Sequence, residues 1–413
     1  MTAAVSFAHP AESYSRYPSL DLIRGIAVLG ILLVNIWAFS MPYAAYQNPA
    51  AYGDLHGVNF FAWWFAAVFA QEKFITLFSV LFGAGMALFF DHASARGAAA
   101  MSLHYRRLLV MLWFGMAHAY LLWFGDVLVL YAICGMLLFP LLQASQRSLL
   151  LAAGSLLLLQ FALFALLWFS VSQQGSEAIT ESMKYWLPDA DAVAQNLAIY
   201  RGGWWQQMAD RVPEAWDGQA STLLFYGPRL LAQMLLGVLL YRNGFLIGQW
   251  SARRYWRIGL IGLASGLLLV IVGVQKLIDS QFSFDASLIM GNHWNSVGSL
   301  LLAAGYAGLT IGWSQRPAPG WLRSALIATG RMAFSNYLFT TIICTTIFYG
   351  HGLGWYGYRD RASLLLMTVI IWVVLVAGSV FWLRRYQQGP LEWLWRWFSY
   401  GVRPAFRRTE PQR

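Results

Sequence analysis

Residues Ser19 to Asn35, which read SLDLIRGIAVLGILLVN, decide the fold class of this chain. A polar start leads through Arg24 and Gly25 into an apolar run that predicts a membrane-spanning helix. Arg24 and Asn35 are eleven residues apart, about three helical turns, so they share one face of that helix. Two polar side chains on one stripe either line a functional interior, or serve as an interfacial anchor and a bond to a neighbouring helix.

The composition of the whole chain supports a membrane protein. Of its 413 residues, 59% are hydrophobic and 11% are charged, whereas a soluble domain carries about 25% charged residues. We therefore predict an all-α, polytopic transmembrane bundle. The formal charge of +10 does not indicate a nucleic-acid partner. The cations concentrate in short loops and at the C-terminus, as the positive-inside rule expects, and the sequence contains no nucleic-acid-binding motif.

Ten apolar runs predict membrane-spanning helices, and a shorter run at 59–70 predicts an interfacial or re-entrant helix after the first span. An even number of spans, with arginines concentrated in alternate loops, places both termini in the cytoplasm. The predicted spans are 20–40, 74–90, 106–124, 127–142, 149–171, 223–241, 258–274, 297–313, 326–348 and 364–383.

These spans divide the chain into five segments. Residues 1–19 are a cytoplasmic N-terminus, 20–171 and 222–385 are two transmembrane halves, 172–221 are a periplasmic aromatic-rich loop, and 386–413 are a basic amphipathic tail. The tail alternates aromatic and basic residues, which predicts a helix on anionic membrane lipid. The tryptophans of the loop indicate either an aromatic belt at the interface or a platform for a substrate. Cys134 and Cys344 lie within apolar runs and are predicted to be buried thiols.

A histidine near the outer end of the third predicted span is the most informative candidate for chemistry. His118 is followed, after a turn at Gly125, by Asp126 and Tyr131, and a tight helical hairpin brings the first two close together. A carboxylate that orients an imidazole raises its basicity, as a general base requires. Tyr131 is a candidate substrate contact. The alternative is a structural His–Asp hydrogen bond that closes the hairpin.

Two further polar residues lie on the outer side. His56 is a second candidate base, because its loop must cover the outer end of the helix that carries Asn35. Lys73 lies at the outer mouth of the second span, where it either snorkels to the interface or forms part of a substrate or proton pathway with His118 and Asp126.

Three arginines lie at the predicted cytoplasmic ends of the first and third spans. Arg24, Arg106 and Arg107 are candidates to bind the phosphates of a nucleotide-like donor, although each of them could simply set the topology. The sequence has no HExxH or CxxC metal spacing, no Walker loop and no GxSxG elbow. We therefore predict no metal site, and neither nucleotide-driven transport nor serine hydrolysis is supported.

Five blocks of the sequence resemble those of the YeiB-like bacterial inner-membrane family, whose C-terminal half is the domain of unknown function 418. The blocks extend from the opening SLDLIRGIAVLGILLVN almost to the C-terminus. The other four are KFITLFSVLFGAG (73–85), HAYLLWFGDVLVLYAICG (118–135), GRMAFSNYL (330–338) and GPLEWLWR (389–396). The resemblance implies a multi-pass protein of the bacterial inner membrane, in a family loosely associated with transport.

The opening SLDLIRGIA also resembles, more distantly, the first helix of the transmembrane acyltransferase superfamily. That resemblance implies acyl transfer from cytoplasmic acyl-CoA to a small-molecule or glycan acceptor on the far side. One branch has a catalytic His eleven residues after the Arg, where this chain has Asn35. The heparan-glucosaminide branch has Asn at that position and a His in the following loop, for which His56 is the nearest match. Arg24 matches the Arg of the superfamily, and Asn35 is then a candidate substrate-binding residue.

Overall fold

A computed structural model describes residues 17–95, 99–173, 183–287, 292–317 and 320–408. The predicted N-terminal segment therefore lies outside the described residues up to residue 16, as do residues 174–182 of the predicted periplasmic loop. The described residues form helices and no β-sheet. An isolated β-bridge joins Tyr386 to Arg407. The predicted all-α fold is confirmed.

Seventeen α-helices are described, and a short 3-10 turn at Phe139–Leu141 extends the sixth. The helices are α1 (Pro18–Ser40), α2 (Ala44–Gln47), α3 (Gly57–Phe69), α4 (Lys73–Ala95), α5 (Ala100–Leu121), α6 (Leu128–Leu138), α7 (Gln146–Gln173), α8 (Ala190–Arg201), α9 (Trp204–Phe225), α10 (Gly227–Arg242), α11 (Ala252–Asp279), α12 (Phe284–Ala286), α13 (Asn292–Ser314), α14 (Trp321–Arg331), α15 (Ala333–Phe348), α16 (Arg361–Arg385) and α17 (Pro390–Tyr400).

Fewer helices than predicted are long and apolar enough to cross a membrane. Six described segments qualify, or seven if the bent pair α9–α10 counts as one span, so the count of ten is not confirmed. The run predicted as an interfacial helix is α3. It joins α4 after a short turn, and together they form one apolar segment of 39 residues. The chain is a multi-pass membrane protein by this criterion.

Two of the predicted spans are interrupted. The run at 326–348 divides at Met332, where α14 ends and the 16-residue α15 begins. The run at 223–241 is also not a straight span, because α9 and α10 meet at an angle of 59° around Tyr226. Broken helices expose backbone groups that must be satisfied by other side chains inside a membrane protein, which makes such breaks places to look for polar clusters.

The bundle has two ends, which we define by α1. The end at which α1 begins, called the proximal end, holds Leu246, whose carbonyl oxygen accepts a hydrogen bond from Ser19. The end at which α1 finishes, called the distal end, holds the turn at residues 349–360. There the Gly357 N–H donates to the carbonyl oxygen of Ser40, and the Tyr356 hydroxyl donates to that of Met41.

Glycines allow several pairs of helices to approach each other closely. An added Cβ at Gly237 on α10 would lie 1.9 Å from the carbonyl oxygen of Val80 on α4, so only glycine fits there. Glycines also allow α11 and α13 to approach each other closely. Gly262 on α11 contacts the backbone of Gly305 on α13, and Gly308 on α13 contacts the backbone of α11. This packing holds α11 against α13 along their length.

The predicted periplasmic loop forms a packed cap over the distal end. The carbonyl oxygen of Leu121, at the end of α5, accepts hydrogen bonds from the indole N–H of Trp204 and from the guanidinium of Arg211, both at 2.9 Å. Tyr200 is buried and stacks on Tyr356 with ring centroids 5.0 Å apart. Helix α8 and the first half of α9, which we call the distal cap, therefore belong to the folded bundle.

The predicted amphipathic tail is helical, as α17, and it docks onto the proximal end. The Glu392 carboxylate accepts hydrogen bonds from the backbone N–H groups of Phe334 and Ser335 at 2.8 and 3.1 Å, and from the Ser335 hydroxyl. The Trp395 indole donates to the carbonyl oxygen of Arg107 at 2.9 Å. Glu392 thus satisfies the first N–H groups of α15, which have no partner within that helix.

Replacing Glu392 by alanine should destabilise the protein by about 1–3 kcal/mol, because buried N–H groups at the start of α15 lose their acceptor. Glutamine at the same position keeps an acceptor oxygen and should cost less. Thermal unfolding of the detergent-purified variants measures both. An alanine variant that unfolds with the wild-type protein would show that Glu392 does not hold α15.

Candidate functional site

The predicted pair of His118 and Asp126 is formed. The Nδ1 atom of His118 lies 2.7 Å from Oδ1 of Asp126, and both side chains are almost completely buried. The other carboxylate oxygen accepts the N–H of Val129 at 2.8 Å, which caps the start of α6. Asp126 is thus held at both oxygens and holds the imidazole in one orientation. The hairpin is built as the sequence predicted.

The second nitrogen of the imidazole contacts a residue that the sequence analysis did not single out. Nε2 of His118 lies 2.9 Å from Oγ1 of Thr341 on α15. The ring of Tyr337, one turn earlier on α15, lies 5.1 Å from the imidazole, and its hydroxyl accepts the N–H of Val127 at 3.3 Å. Helices α5, α6 and α15 therefore meet at His118.

A narrow cleft between α1 and α15 adjoins this contact. Its walls are mostly apolar, with polar groups from Asn35, Tyr337 and two threonines. The lining residues are Val28, Ile31, Leu32, Asn35, Phe39, Trp123, Tyr337, Thr340 and Thr341. The cleft brings Asn35 to the same place as Thr341, the hydroxyl partner of His118. The Asn35 amide has no hydrogen-bond partner among the described residues, so it is available to a ligand.

Arg24 lies on the same stripe of α1 as the cleft, one turn closer to the proximal end than Val28. Its guanidinium forms an ion pair with Asp21 at 2.7 Å and remains partly exposed. Because exposed ion pairs contribute little stability, a phosphate could displace Asp21. Arg24 therefore lies at the proximal end of the stripe of α1 side chains that ends at Asn35.

The other two predicted phosphate-binding arginines have partners in the tail region. The guanidinium of Arg107 lies between the rings of Phe89 and Trp395, at 4.0 and 4.5 Å from their centroids. Arg106 comes near Gly401, the residue that follows α17. These contacts join α5 to the tail, whereas Arg24 pairs within α1, so the structure does not show the three arginines as one cluster.

His56 does not lie in the cleft. It precedes α3 on the distal side, its side chain is 95% exposed, and Nδ1 lies 2.9 Å from the carboxylate of Asp54. Hydrogen bonds from Asn59 and then from His56 hold the pKa of Asp54 below its usual value. Asp54 also contributes its carbonyl oxygen to the buried Arg361. His56 thus belongs to a surface turn that fastens α3 to α16.

Tyr131 also lies away from the cleft. Its hydroxyl is 2.7 Å from the Ser79 hydroxyl and donates to the carbonyl oxygen of Ile75 at 3.3 Å. Its ring packs edge-on against Phe78 and Phe82. These partners hold α6 against α4, so the geometry favours a structural role for Tyr131.

Lys73 belongs to a second buried polar cluster. It is fully buried at the start of α4, and its ammonium donates to the carbonyl oxygen of Ala67 at 2.7 Å and to Asn295 Oδ1 at 2.6 Å. Its neighbour Glu72 forms an ion pair with Arg229 on α10. The backbone of Glu72 is left-handed, with φ 68°, a conformation that is uncommon for residues other than glycine.

The second cluster lies where two broken segments meet. Glu72 is in the turn between α3 and α4, and Arg229 is in the first turn of α10, just after the bend from α9. Arg229 also donates to the Ser296 hydroxyl at 3.0 Å, and its buried Nε atom has no hydrogen-bond partner among the residues that the structure describes. Two buried cations lie near one carboxylate here, and Arg229 is the one that pairs with it. Buried charge of this kind is costly inside a membrane protein and marks a functional candidate.

Arg229 and Thr341 were not predicted as site residues, although the sequence around each of them is informative. Arg229 interrupts a predicted span directly after Gly227 and Pro228, and a charge within a span is a functional candidate by default. Thr341 lies in a run with three other threonines in an otherwise apolar helix. Only its contact with His118, 223 residues away in sequence, distinguishes it from them.

No metal site is indicated in the parts of the chain that the structure describes. There, no group of three His, Cys, Asp or Glu side chains is arranged to hold an ion. Cys134 and Cys344 are buried free thiols on different helices, as predicted. The polar groups at the cleft are the Asn35 amide and the hydroxyls of Tyr337, Thr340 and Thr341, with the imidazole–carboxylate pair beside them.

Comparison with known proteins identifies the relatives of this chain. A family profile described as "Protein of unknown function (DUF418)" matches residues 240–402. The chain is 35% identical to "Uncharacterized protein YeiB" of Escherichia coli (strain K12), over 95% of this chain and 99% of that protein. It is 33% identical to "Uncharacterized protein YxaH" of Bacillus subtilis (strain 168), over 98% of this chain and 100% of that protein.

A more distant relative has a similar length. The "Uncharacterized 39.9 kDa protein in amylase 3'region" of Bacillus acidopullulyticus is 26% identical, over 95% of this chain and 96% of that protein. All three relatives are matched along almost their whole lengths, so the matches are not confined to residues 240–402. The chain belongs to the YeiB-like family of proteins with a DUF418 domain.

Proposed function

We propose that this protein transfers an acyl group from acyl-CoA to an acceptor across the membrane. One observation carries the proposal: a buried imidazole, oriented by a carboxylate at 2.7 Å, lies 2.9 Å from a hydroxyl at the wall of a cleft that also contains Asn35. General-base catalysis needs an oriented imidazole within hydrogen-bond reach of the proton it removes. The buried pair therefore has the geometry that a general base needs. A hydrogen bond that only closes the helical hairpin would not require the second contact, from the imidazole to a hydroxyl.

The buried pair beside the cleft and the Asn35 amide within it each have a role in this reaction. His118 removes a proton, and Asp126 stabilises the imidazolium that forms. The Asn35 amide donates to the acyl oxygen, on which negative charge develops during acyl transfer. The apolar walls suit an acyl chain, and the cleft, which has room for about one water molecule, must widen to admit even an acetyl group.

Arg24 is the residue best placed for the donor. It lies on the stripe that leads to the cleft, toward the proximal end, and its pair with Asp21 is exposed enough to exchange for a phosphate. Acyl-CoA supplies an activated thioester when it binds. Arg106 and Arg107 are second candidates for its phosphates, and the acceptor is a small molecule or a glycan.

The distribution of arginines suggests how the protein is oriented in the membrane. We propose that the proximal end faces the cytoplasm of a bacterium and that the protein resides in the inner membrane, because arginines dominate that end. Both termini are then cytoplasmic, the distal cap is periplasmic, and the tail lies next to membrane lipid. Donor and acceptor would approach the cleft from opposite sides.

Binding of acetyl-CoA to the detergent-purified protein tests the proposal first. We expect saturable binding by calorimetry and thermal shift, and Arg24→Ala should weaken it at least tenfold, because a charge-assisted contact to phosphate is lost. Replacement of the exposed Arg359 by alanine is the matched control and should leave binding unchanged. A protein that does not bind acetyl-CoA at millimolar concentration would refute the proposal.

A second function is favoured by the buried cluster of Glu72, Lys73 and Arg229. Broken helices with buried charges form the substrate and ion sites of many transporters, so a small-metabolite permease is the alternative. It predicts uptake into proteoliposomes that depends on the proton gradient and yields no covalent product. Uptake of that kind, without acetyl-CoA binding, would replace the first proposal.

A further inference from the structure

The imidazole of His118 lies within hydrogen-bond distance of a hydroxyl of the protein itself. Asp126, as a carboxylate, only accepts hydrogen bonds, so Nδ1 of the neutral imidazole carries the proton and Nε2 is the acceptor. The hydroxyl of Thr341, 2.9 Å from Nε2, then donates to it. This order of hydroxyl, imidazole and carboxylate is the arrangement that activates a nucleophile in many acyl-transfer enzymes.

Neighbouring threonines on α15 show that this contact is unusual. The hydroxyls of Thr340 and Thr345 donate to the backbone carbonyls of Asn336 and Thr341, one turn earlier, at 2.7 and 2.9 Å. That bond is the ordinary one for threonine in a helix. The hydroxyl of Thr341 is 3.5 Å from the corresponding carbonyl of Tyr337, too long for a good hydrogen bond. Its short contact is with His118 instead.

Thr341 lies in the distal half of the bundle. It is eight residues from the start of the 16-residue α15, about 12 Å along the helix axis. Its partner His118 is three residues from the end of α5, and Asn35, which lines the same cleft, is five residues from the end of α1. The hydroxyl is therefore closer to the proposed acceptor side than to the proposed donor side.

We propose that Thr341 is acylated during the reaction and carries the acyl group as an ester between donor and acceptor. This inference rests on the acyl transfer proposed above and specifies how that transfer proceeds. A covalent relay removes the need for acyl-CoA and the acceptor to occupy the narrow cleft together.

The two steps balance as follows. In the first, Oγ1 of Thr341 attacks the thioester carbonyl carbon while its proton passes to Nε2 of His118. The C–S bond breaks, and the CoA sulfur leaves with the proton from the imidazolium. In the second, an acceptor hydroxyl or amine attacks the ester carbonyl and gives its proton to Nε2. The C–O bond to Thr341 breaks, and Oγ1 regains a proton from His118.

Peptide mass spectrometry after incubation with acetyl-CoA and rapid acid quench tests this inference. Without an acceptor, the peptide that contains Thr341 should gain one acetyl group. Thr341→Val, which lacks the hydroxyl but keeps the shape, should abolish this label and reduce CoA release at least a hundredfold. Thr341→Ser should retain both. Thr345→Val, a buried change one turn along the same helix, is the matched control and should be labelled like the wild-type protein.

The outcomes separate this inference from the proposed function. If Thr341→Val still transfers acetyl to an acceptor at the wild-type rate, the acceptor is attacked directly. The covalent relay is then wrong, while acyl transfer stands. If the wild-type protein neither binds acetyl-CoA nor releases CoA from it, both are wrong. Thermal unfolding of each variant, together with the labelling of Thr341→Ser, distinguishes a lost hydroxyl from a lost fold.

Discussion

The change of His118 to glutamine should reduce acyl transfer by about 10²–10⁴-fold, the usual contribution of a positioned general base. Glutamine retains an amide that can bond to Asp126 or Thr341, so the hairpin between α5 and α6 should remain folded. It has no basic nitrogen to accept the proton. Transfer of radiolabelled acetyl from acetyl-CoA to extractable acceptors in membrane vesicles measures the effect.

A second buried histidine on α5 provides the control. His104 is as buried as His118, and its Nε2 atom lies 3.0 Å from the carbonyl oxygen of Gly135, away from the cleft. His104→Gln should therefore retain transfer even if it lowers thermal stability. Equal transfer by His118→Gln and the wild-type protein would show that the buried pair is structural, which is the alternative that the sequence left open.

Asp126→Asn tests the second member of the pair. The asparagine oxygen can still accept the N–H of Val129 and keep the cap of α6, but its NH2 then faces Nδ1 of His118, which reverses the tautomer and leaves an imidazolium without its carboxylate. An activity loss close to that of His118→Gln would show that the base needs Asp126 as a carboxylate. This comparison supports the first prediction and does not depend on the identity of the acceptor.

The sequence predicted the parts of the site that depend on nearby residues. His118 and Asp126 are eight residues apart, and a single turn brings them together, so the hairpin could be inferred. Arg24 and Asn35 share a stripe because one helix contains both. Their common cleft with Thr341 depends on how α1 packs against α15, and no local pattern encodes that packing.

The count of ten spans is not confirmed, and hydropathy alone did not predict where spans are interrupted. Apolar runs predicted helices correctly, but hydropathy does not show the breaks at Met332 and Tyr226. The break at Tyr226 has a local signal in the Gly227 and Pro228 that follow it, whereas the break at Met332 lies where α14 packs against α1. At Gly330, for example, an added Cβ would lie 1.8 Å from the carbonyl oxygen of Asp21, so α14 crosses α1 in direct backbone contact. The tail was predicted to lie on lipid, and its packing against α5 and α15 also depends on residues far away in the sequence.

The buried ion pair of Glu72 and Arg229 should be the most sensitive electrostatic feature of the fold. Loss of one partner of a buried pair costs about 3–5 kcal/mol, because the other charge is left without compensation. Here the two partners are not equivalent. Lys73 adjoins Glu72 and is also buried, so the single carboxylate balances two cations of the cluster.

This imbalance predicts an order of stabilities. Glu72→Gln should cost about 3–5 kcal/mol, since Arg229 and Lys73 both lose their only nearby carboxylate among the described residues. Arg229→Met should cost less, because Glu72 can still interact with Lys73. The double variant should be more stable than Glu72→Gln alone. Thermal or denaturant unfolding of the purified variants gives the order, with Lys276→Met, an exposed lysine of α11, as the control. If Arg229→Met were the more damaging change, Lys73 would not be charged in the folded protein, and a role for it in binding anions or moving protons would have to be reconsidered.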